Sequence, residues 1–445
     1  MKKFYKSFFL LLVPMALKEL IAAFINLLDA VMLGDLGSDV IAAVGIANQW
    51  YFLFAVVTFG MCGGAGVFAA QYWGAKDIKN MRKVLGINLM LVSLLSALFI
   101  VISLVAPQMI IKFFRSETAI VDHGVKYLRI VCFSYILSGI TAAYDMSLCC
   151  SEKANLSFVA RFIGLCVNIV MNWALIYGHL GFSAMGIEGA AIATIIARAS
   201  ELIIILSVVY GKKLIQAAPF AEMFSFPKGM LRKYFKAALP VTLNESAWAL
   251  GTVTYSWVFS QISAEAVVVI TIVQNIERLL LVFFHGGGNA AGILIGKLVG
   301  AGDTENAFNV SKKLCILNTL FSIAVAGLFI VIRPLVLIPY NITVEVYNQT
   351  LNILFLTALI MTVKSLTFYF IVGVFRNGGD TKFAALIDIT SMWLIGVPLV
   401  LIAGLIFNLS LEKIYIIMMS EEVVKLILSV WRYRSKKWIK NLVKG

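Results

Sequence analysis

GMCGGAGVFAAQYWGAKD at 60–77 and GGGNAAGILIGKLVGAGD at 286–303 decide the architecture of this chain. They stand 226 residues apart, and no gap is needed at that offset across two long hydrophobic segments. Gly60, Ala65 and Gly66 fall on Gly286, Ala291 and Gly292, and Gly74, Ala75 and Asp77 fall on Gly300, Ala301 and Asp303. Further back, Pro14, Leu17 and Glu19 fall on Pro240, Leu243 and Glu245. So many matches at one offset mark an internal repeat. Each copy is a segment of small residues running into a Gly-Ala-x-Asp turn. Such residues permit close helix approach or a bend. Pro14 and Pro240 each remove a backbone hydrogen bond and predict a kink.

Outward from the repeat, the chain reads as membrane helices. Val84–Ala106, Phe158–Ile176, Leu314–Ile338 and Phe383–Ile406 are apolar runs near the roughly 20 residues that cross a bilayer. The 445 residues are 61% hydrophobic and 13% charged, against about 25% charged in soluble domains. Strand-like alternation is missing, which disfavours a membrane barrel. Residues 1–6 are basic and an apolar run follows. That run carries Lys18, Glu19 and Asp29 without a small-residue cleavage site, so it reads as a first span rather than a signal peptide. Twelve spans are expected, at 8–33, 41–70, 84–106, 124–147, 158–176, 187–209, 237–261, 266–296, 314–338, 347–375, 383–406 and 413–430. Six per half is an even number, so both halves share one orientation about an axis along the membrane normal. The expected fold is an all-α membrane protein with two pseudo-symmetric six-helix lobes around a central cleft, able to rock. The expected organisation is a first lobe at 1–210, a linker at 211–236 containing Pro219 and Pro227, a second lobe at 237–430 and a basic tail at 431–445.

The net charge of +14 raises nucleic acid as a partner, but its distribution argues against it. Lys and Arg cluster at Lys2–Lys6, Lys76–Lys83, Lys212–Lys236 and Arg432–Lys444, while outward loops hold Lys112, Arg115, Arg333 and Lys413. This is the positive-inside bias. It predicts a multi-pass protein of the cell inner (plasma) membrane with both termini cytoplasmic. The six cysteines form no CxxC or Cys/His pair at metal spacing and read as packing residues. No GxxxxGK[ST] or HExxH occurs, so neither an ATPase nor another enzyme is expected.

Polar groups in hydrocarbon need a partner, water or a task. Asp29 lies near the outer end of the first span. Asn168 and Asn172 are four apart, on one face of the fifth span. Thr194 lies at similar depth in the sixth. One carboxylate, two amide oxygens and a hydroxyl suit Na⁺. Alternatively Asp29 exchanges a proton, or the asparagines only join helices. Glu19 and Glu245 are repeat equivalents, each five residues after a proline. They read as a cation- or substrate-binding pair or as caps for freed backbone groups. Glu277 and Asp388 are further second-lobe candidates, with ion pairs Glu277–Arg278 and Lys364–Asp388 as the structural alternative. Asp145, Arg198, Glu201, Glu421, Glu422 and Lys425 read as paired or near span ends. Trp248, Tyr255, Trp257 and Met392 are candidates for holding planar cations by cation–π contact, or for packing.

The ordered set of segments resembles the multidrug and toxic compound extrusion (MATE) family. The carrying residues are Asp29-Ala-Val-Met-Leu-Gly34, the repeated turns at Gly74–Asp77 and Gly300–Asp303, and Gly186–Thr194. Leu239-Pro-Val-Thr-Leu-Asn-Glu245 and Phe375-Arg-Asn-Gly-Gly-Asp-Thr381 complete the set. The resemblance covers almost the whole chain. It implies alternating access and efflux of small organic, amphipathic cations or drugs driven by a Na⁺ or H⁺ gradient, with no cofactor. It also implies a coupling site at Asp29, Asn168, Asn172 and Thr194. One branch carries Asp where this chain has Asn172, and the missing charge leans the set toward Na⁺. Glu245 is the nearest match to a span-seven Glu used by another branch. The alternative within the superfamily is a flippase for a lipid-linked saccharide or similar amphipathic precursor, which should be rich in Arg or Lys for phosphates. Here Arg198, Arg278 and Lys364 are few. A channel would not need two equivalent lobes. Two lobes in one chain make a monomer in lipid sufficient.

Overall fold

The computed structural model describes residues 2–114, 117–340 and 342–444. Arg115, one of the outward-loop cations, lies outside them, as do the side chains of Lys2, Lys3 and Ala30. The regular elements among the described residues are all helices, without a strand. The spans run Lys2–Leu33, Ser38–Gly74, Ile78–Val105, Thr118–Val131 with Ser134–Cys150, Ala154–Tyr177 and Gly186–Gly211. Then follow Lys228–Ile262, Ala264–Ala301, Thr304–Val336, Val344–Arg376, Thr381–Ile406 and Leu411–Arg434. Among the described residues eight helices are long and apolar enough to cross a membrane unaided, and the fourth-span pair, bent by 48°, makes a ninth if it is one span. That pair corrects the single helix expected at 124–147. The first, seventh and twelfth spans carry more charge, yet the shortest has 24 residues, about 36 Å of helix against a hydrocarbon core of about 30 Å. Twelve spans result.

The chain divides into two compact units of six spans each. One comprises residues 1–73 and 77–238, the other 74–76 and 239–445. The stretch expected as a linker packs against the first unit: Ala218 and Met223 are buried, and Gln216 donates to Ser151 Oγ at 2.9 Å. The expected basic tail is a strap on the second unit. Trp438 is buried against Tyr433, Lys440 N donates to Gly378 O at 2.7 Å, and Asn441 Nδ2 donates to Val299 O at 2.7 Å. Gly379 meets this strap at φ +94°, where a Cβ would lie 2.2 Å from Lys440 O. Only glycine satisfies both conditions.

The repeat survives as geometry. Asp77 caps the third span, accepting from Asn80 N at 3.0 Å. Asp303 caps the ninth, accepting from Asn306 N at 3.2 Å. Their φ/ψ are −90°/75° and −90°/72°, and Lys76 and Gly302 precede them at φ +60° and +84°. The small residues serve close packing, since both long helices run unbroken. A Cβ on Gly66 would meet Met146 Sδ at 2.7 Å, and one on Gly292 would meet Asn377 Nδ2 at 2.2 Å. The first and seventh helices continue through Pro14 and Pro240. Three π-helical turns, Tyr369–Arg376, Ser391–Gly396 and Ile402–Ile406, lie in the second unit.

Candidate functional site

Within the first unit the first span delivers Asp29 to the fifth. Asn172 Nδ2 donates to Asp29 Oδ1 at 2.7 Å and to Asn168 Oδ1 at 3.3 Å. The asparagines are 1% and 2% exposed, stacked on successive turns of one helix face. Thr194 Oγ1 donates to Ala190 O at 3.0 Å. Thr194 lines one pocket with Asn168, Arg161, Arg198 and Glu201. Three of the four predicted residues are thus in one hydrogen-bonded chain, and the fourth shares a pocket with it. Asn172 Oδ1 has no partner among the described residues. A carboxylate beside a spare buried acceptor suits a proton or a small cation, because each leaves an oxygen to be satisfied.

Sequence reasoning missed Tyr127. It is buried and interacts with both Asp29 and Thr194. A lone tyrosine in an apolar helix carries no signal by itself. Arg198, read as paired, does pair with Glu201 at 3.2 Å, and its charge also acts on Asp29. Glu201 takes a second guanidinium, Arg161, at 2.8 Å. Lys18 is buried against Asp145 at 2.7 Å, while Glu19 beside it is exposed. The two face different ways, as adjacent helical residues do.

In the second unit each predicted acid pairs with a cation. Glu245 pairs with Arg376 at 2.6 Å, Glu277 with Lys364 at 2.5 Å, and Asp388 with Lys425 at 2.9 Å. These correct two expected pairings: Lys364 meets Glu277 rather than Asp388, and Arg278 is exposed. Among the described residues, Glu19 in the first unit shows no ion pair like that of Glu245 with the buried Arg376. Of the aromatic candidates, Tyr255 and Met392 belong to a buried apolar cluster, while Trp248 and Trp257 are exposed. Tyr255 donates to Glu421 Oε2 at 2.5 Å. The spacing Glu421-Glu422-x-x-Lys425 places Lys425 at i+4 and i+3 from the two acids, a signal legible in the sequence but read as merely structural.

A family model, MatE, matches residues 14–174 and 240–402. The chain is 25% identical to "Uncharacterized transporter YisQ" of Bacillus subtilis, covering 98% of this chain and 95% of that protein. It is 23% identical to "Probable multidrug resistance protein NorM" of Thermotoga maritima, covering 98% and 94%. A crystal structure described as MATE in the bent conformation superposes with a TM-score of 0.89 at 19% identity, covering 97% of this chain and 96% of the other. The two matched blocks begin at the repeat equivalents Pro14 and Pro240, and by them this chain belongs to the MatE family of membrane transporters.

Proposed function

We propose that this chain is a secondary active antiporter that exports organic, largely cationic and amphipathic compounds by alternating access in exchange for Na⁺ or H⁺. Asp29, Asn168, Asn172 and Thr194 form its coupling-cation site. The multidrug resistance relatives support the substrate class. The observation that carries the site is the Asn172–Asp29 bond with Asn172 Oδ1 left over. With Asp29 ionised, the amide presents Nδ2 to it. When a proton or small cation arrives, the amide turns and presents Oδ1. Binding thereby rewires the contact between the first and fifth spans, the local change a transport cycle needs to bias its two states.

A flippase for a lipid-linked precursor is the second reading. Free guanidinium and ammonium groups would serve it. Lys18, Arg161 and Arg198 are instead held by Asp145 and Glu201, which supports the antiporter. The test is Asp29→Asn, expected to abolish ethidium efflux from cells while the protein remains folded in the membrane. Unchanged efflux would remove Asp29 from the coupling site. Proteoliposomes with imposed Na⁺ and proton gradients then identify the ion. Transport that follows neither gradient would overturn the antiport.

A further inference from the structure

We propose that Asp388, Glu421, Glu422 and Lys425 form a proton-binding site in the second unit, separate from Asp29, with Glu422 as the group that carries the proton. The inference goes beyond the transport reading and does not depend on it. One ammonium, Lys425 Nζ, lies 2.9 Å from Asp388, 3.3 Å from Glu422 and 3.4 Å from Glu421. Three carboxylates around one cation leave two negative charges uncompensated in a buried place. The neighbouring cations do not make up the deficit: Lys364 and Arg376 also act on Glu422 and Asp388, but each is paired with a further acid, Glu277 and Glu245, so five carboxylates face three cations. Buried charge without compensation is costly, and taking up protons removes it.

Thr367 provides the independent observation. Its Oγ1 lies 2.9 Å from Lys364 O and 2.6 Å from Glu422 Oε2. A hydroxyl has one hydrogen, while Lys364 O and an ionised Glu422 are both acceptors only. Both contacts are hydrogen bonds together when Thr367 donates to Lys364 O and a protonated Glu422 donates to Thr367. A second sign is Asn244, 2% exposed, which gives Nδ2 to Asp388 Oδ2 at 2.9 Å and leaves Oδ1 with no partner among the described residues. A half-turn of that amide would accept a proton carried on Asp388. Tyr255, on Glu421 Oε2, is the third outer partner able to accept as well as donate. Each carboxyl can therefore gain a proton without losing its hydrogen bond. A metal ion fits less well, because it needs several oxygens converging on one point and the point these three share holds Lys425 Nζ. From the same helices Tyr415 faces the neighbouring pair and is bonded to Thr357 at 2.8 Å.

The experiment is infrared difference spectroscopy of the full chain in lipid, between mildly acidic and mildly alkaline buffer, in an Asp29→Asn background. We expect a protonated-carboxyl band to persist in Asp29→Asn and to be lost when Glu422→Gln is added. A band that disappears with Asp29→Asn alone, or survives Glu422→Gln unchanged, overturns the proposal. If Glu422→Gln does not fold, Thr367→Val decides: loss of the acceptor should shift the carboxyl band, and an unshifted band overturns the assignment.

Discussion

The two units share a frame and differ in charge. In the first, Lys18, Arg161 and Arg198 stand against Asp145, Glu201 and Asp29, a balanced set if Asp29 is ionised. In the second, Lys364, Arg376 and Lys425 stand against Glu245, Glu277, Asp388, Glu421 and Glu422. Yet the caps at Asp77 and Asp303 agree in their backbone angles. Duplication has therefore preserved what fixes the helices and released what binds charge. Even the paired glutamates show it. Glu245 is held by Arg376, whereas at Glu19 the helix exposes the acid and buries Lys18 instead.

The largest effect expected from that difference is at Lys425. Lys425→Met leaves three carboxylates without their shared cation, and breaking a buried ion pair costs about 3–5 kcal/mol. Lys18→Met leaves only Asp145, with Arg161 still acting on it, so its loss should be smaller. Denaturant unfolding of the two variants in detergent checks this. Equal losses would break the comparison, since the acid surplus would then have no energetic consequence.

Both the frame and the placing of Asn168 with Asn172 were legible in the sequence, because each rests on spacing. Gly74-Ala75-x-Asp77 recurs at a fixed offset, and Asn168 and Asn172 share a face because they are four apart. The charge pairings were not legible. Asp388 meets Lys425 rather than Lys364, a choice between helices that spacing along one helix cannot encode. Tyr127 was invisible for the same reason: its partners Asp29 and Thr194 come from other helices. The strap at Trp438 escaped because a short basic segment after the last span looks like any solvated tail, and its binding turn at Gly378-Gly379-Asp380 lies far away in the chain.

A smaller effect sharpens the comparison at the glycines. Gly292→Ala drives a Cβ to 2.2 Å from Asn377 Nδ2 and 3.0 Å from Gly373 O. Backbone cannot retreat as a side chain can, so a loss of about 1–3 kcal/mol is expected. Gly66→Ala meets only the thioether of Met146, at 2.7 Å, and an unbranched methionine can rotate away. Its loss should be well below that of Gly292→Ala. Thermal unfolding of the pair measures the difference, and the reverse order would mean that the second unit's packing is the looser one.

The smallest effect should be the most symmetrical. Asp77→Ala and Asp303→Ala each remove one side-chain cap from a helix start, worth about 1 kcal/mol. The bonds replaced are alike: 3.0 and 3.2 Å to the backbone of Asn80 and Asn306, and 2.6 and 2.7 Å to their side-chain amides. Neither aspartate touches the charge networks that separate the units, so nothing in the surplus of acid should reach them. The two variants should therefore unfold with losses that agree to within a few tenths of a kcal/mol, the usual scatter for independent sites. A clear inequality would mean that the repeated turn carries load in only one unit, and that the shared frame is a likeness of sequence without a likeness of energy.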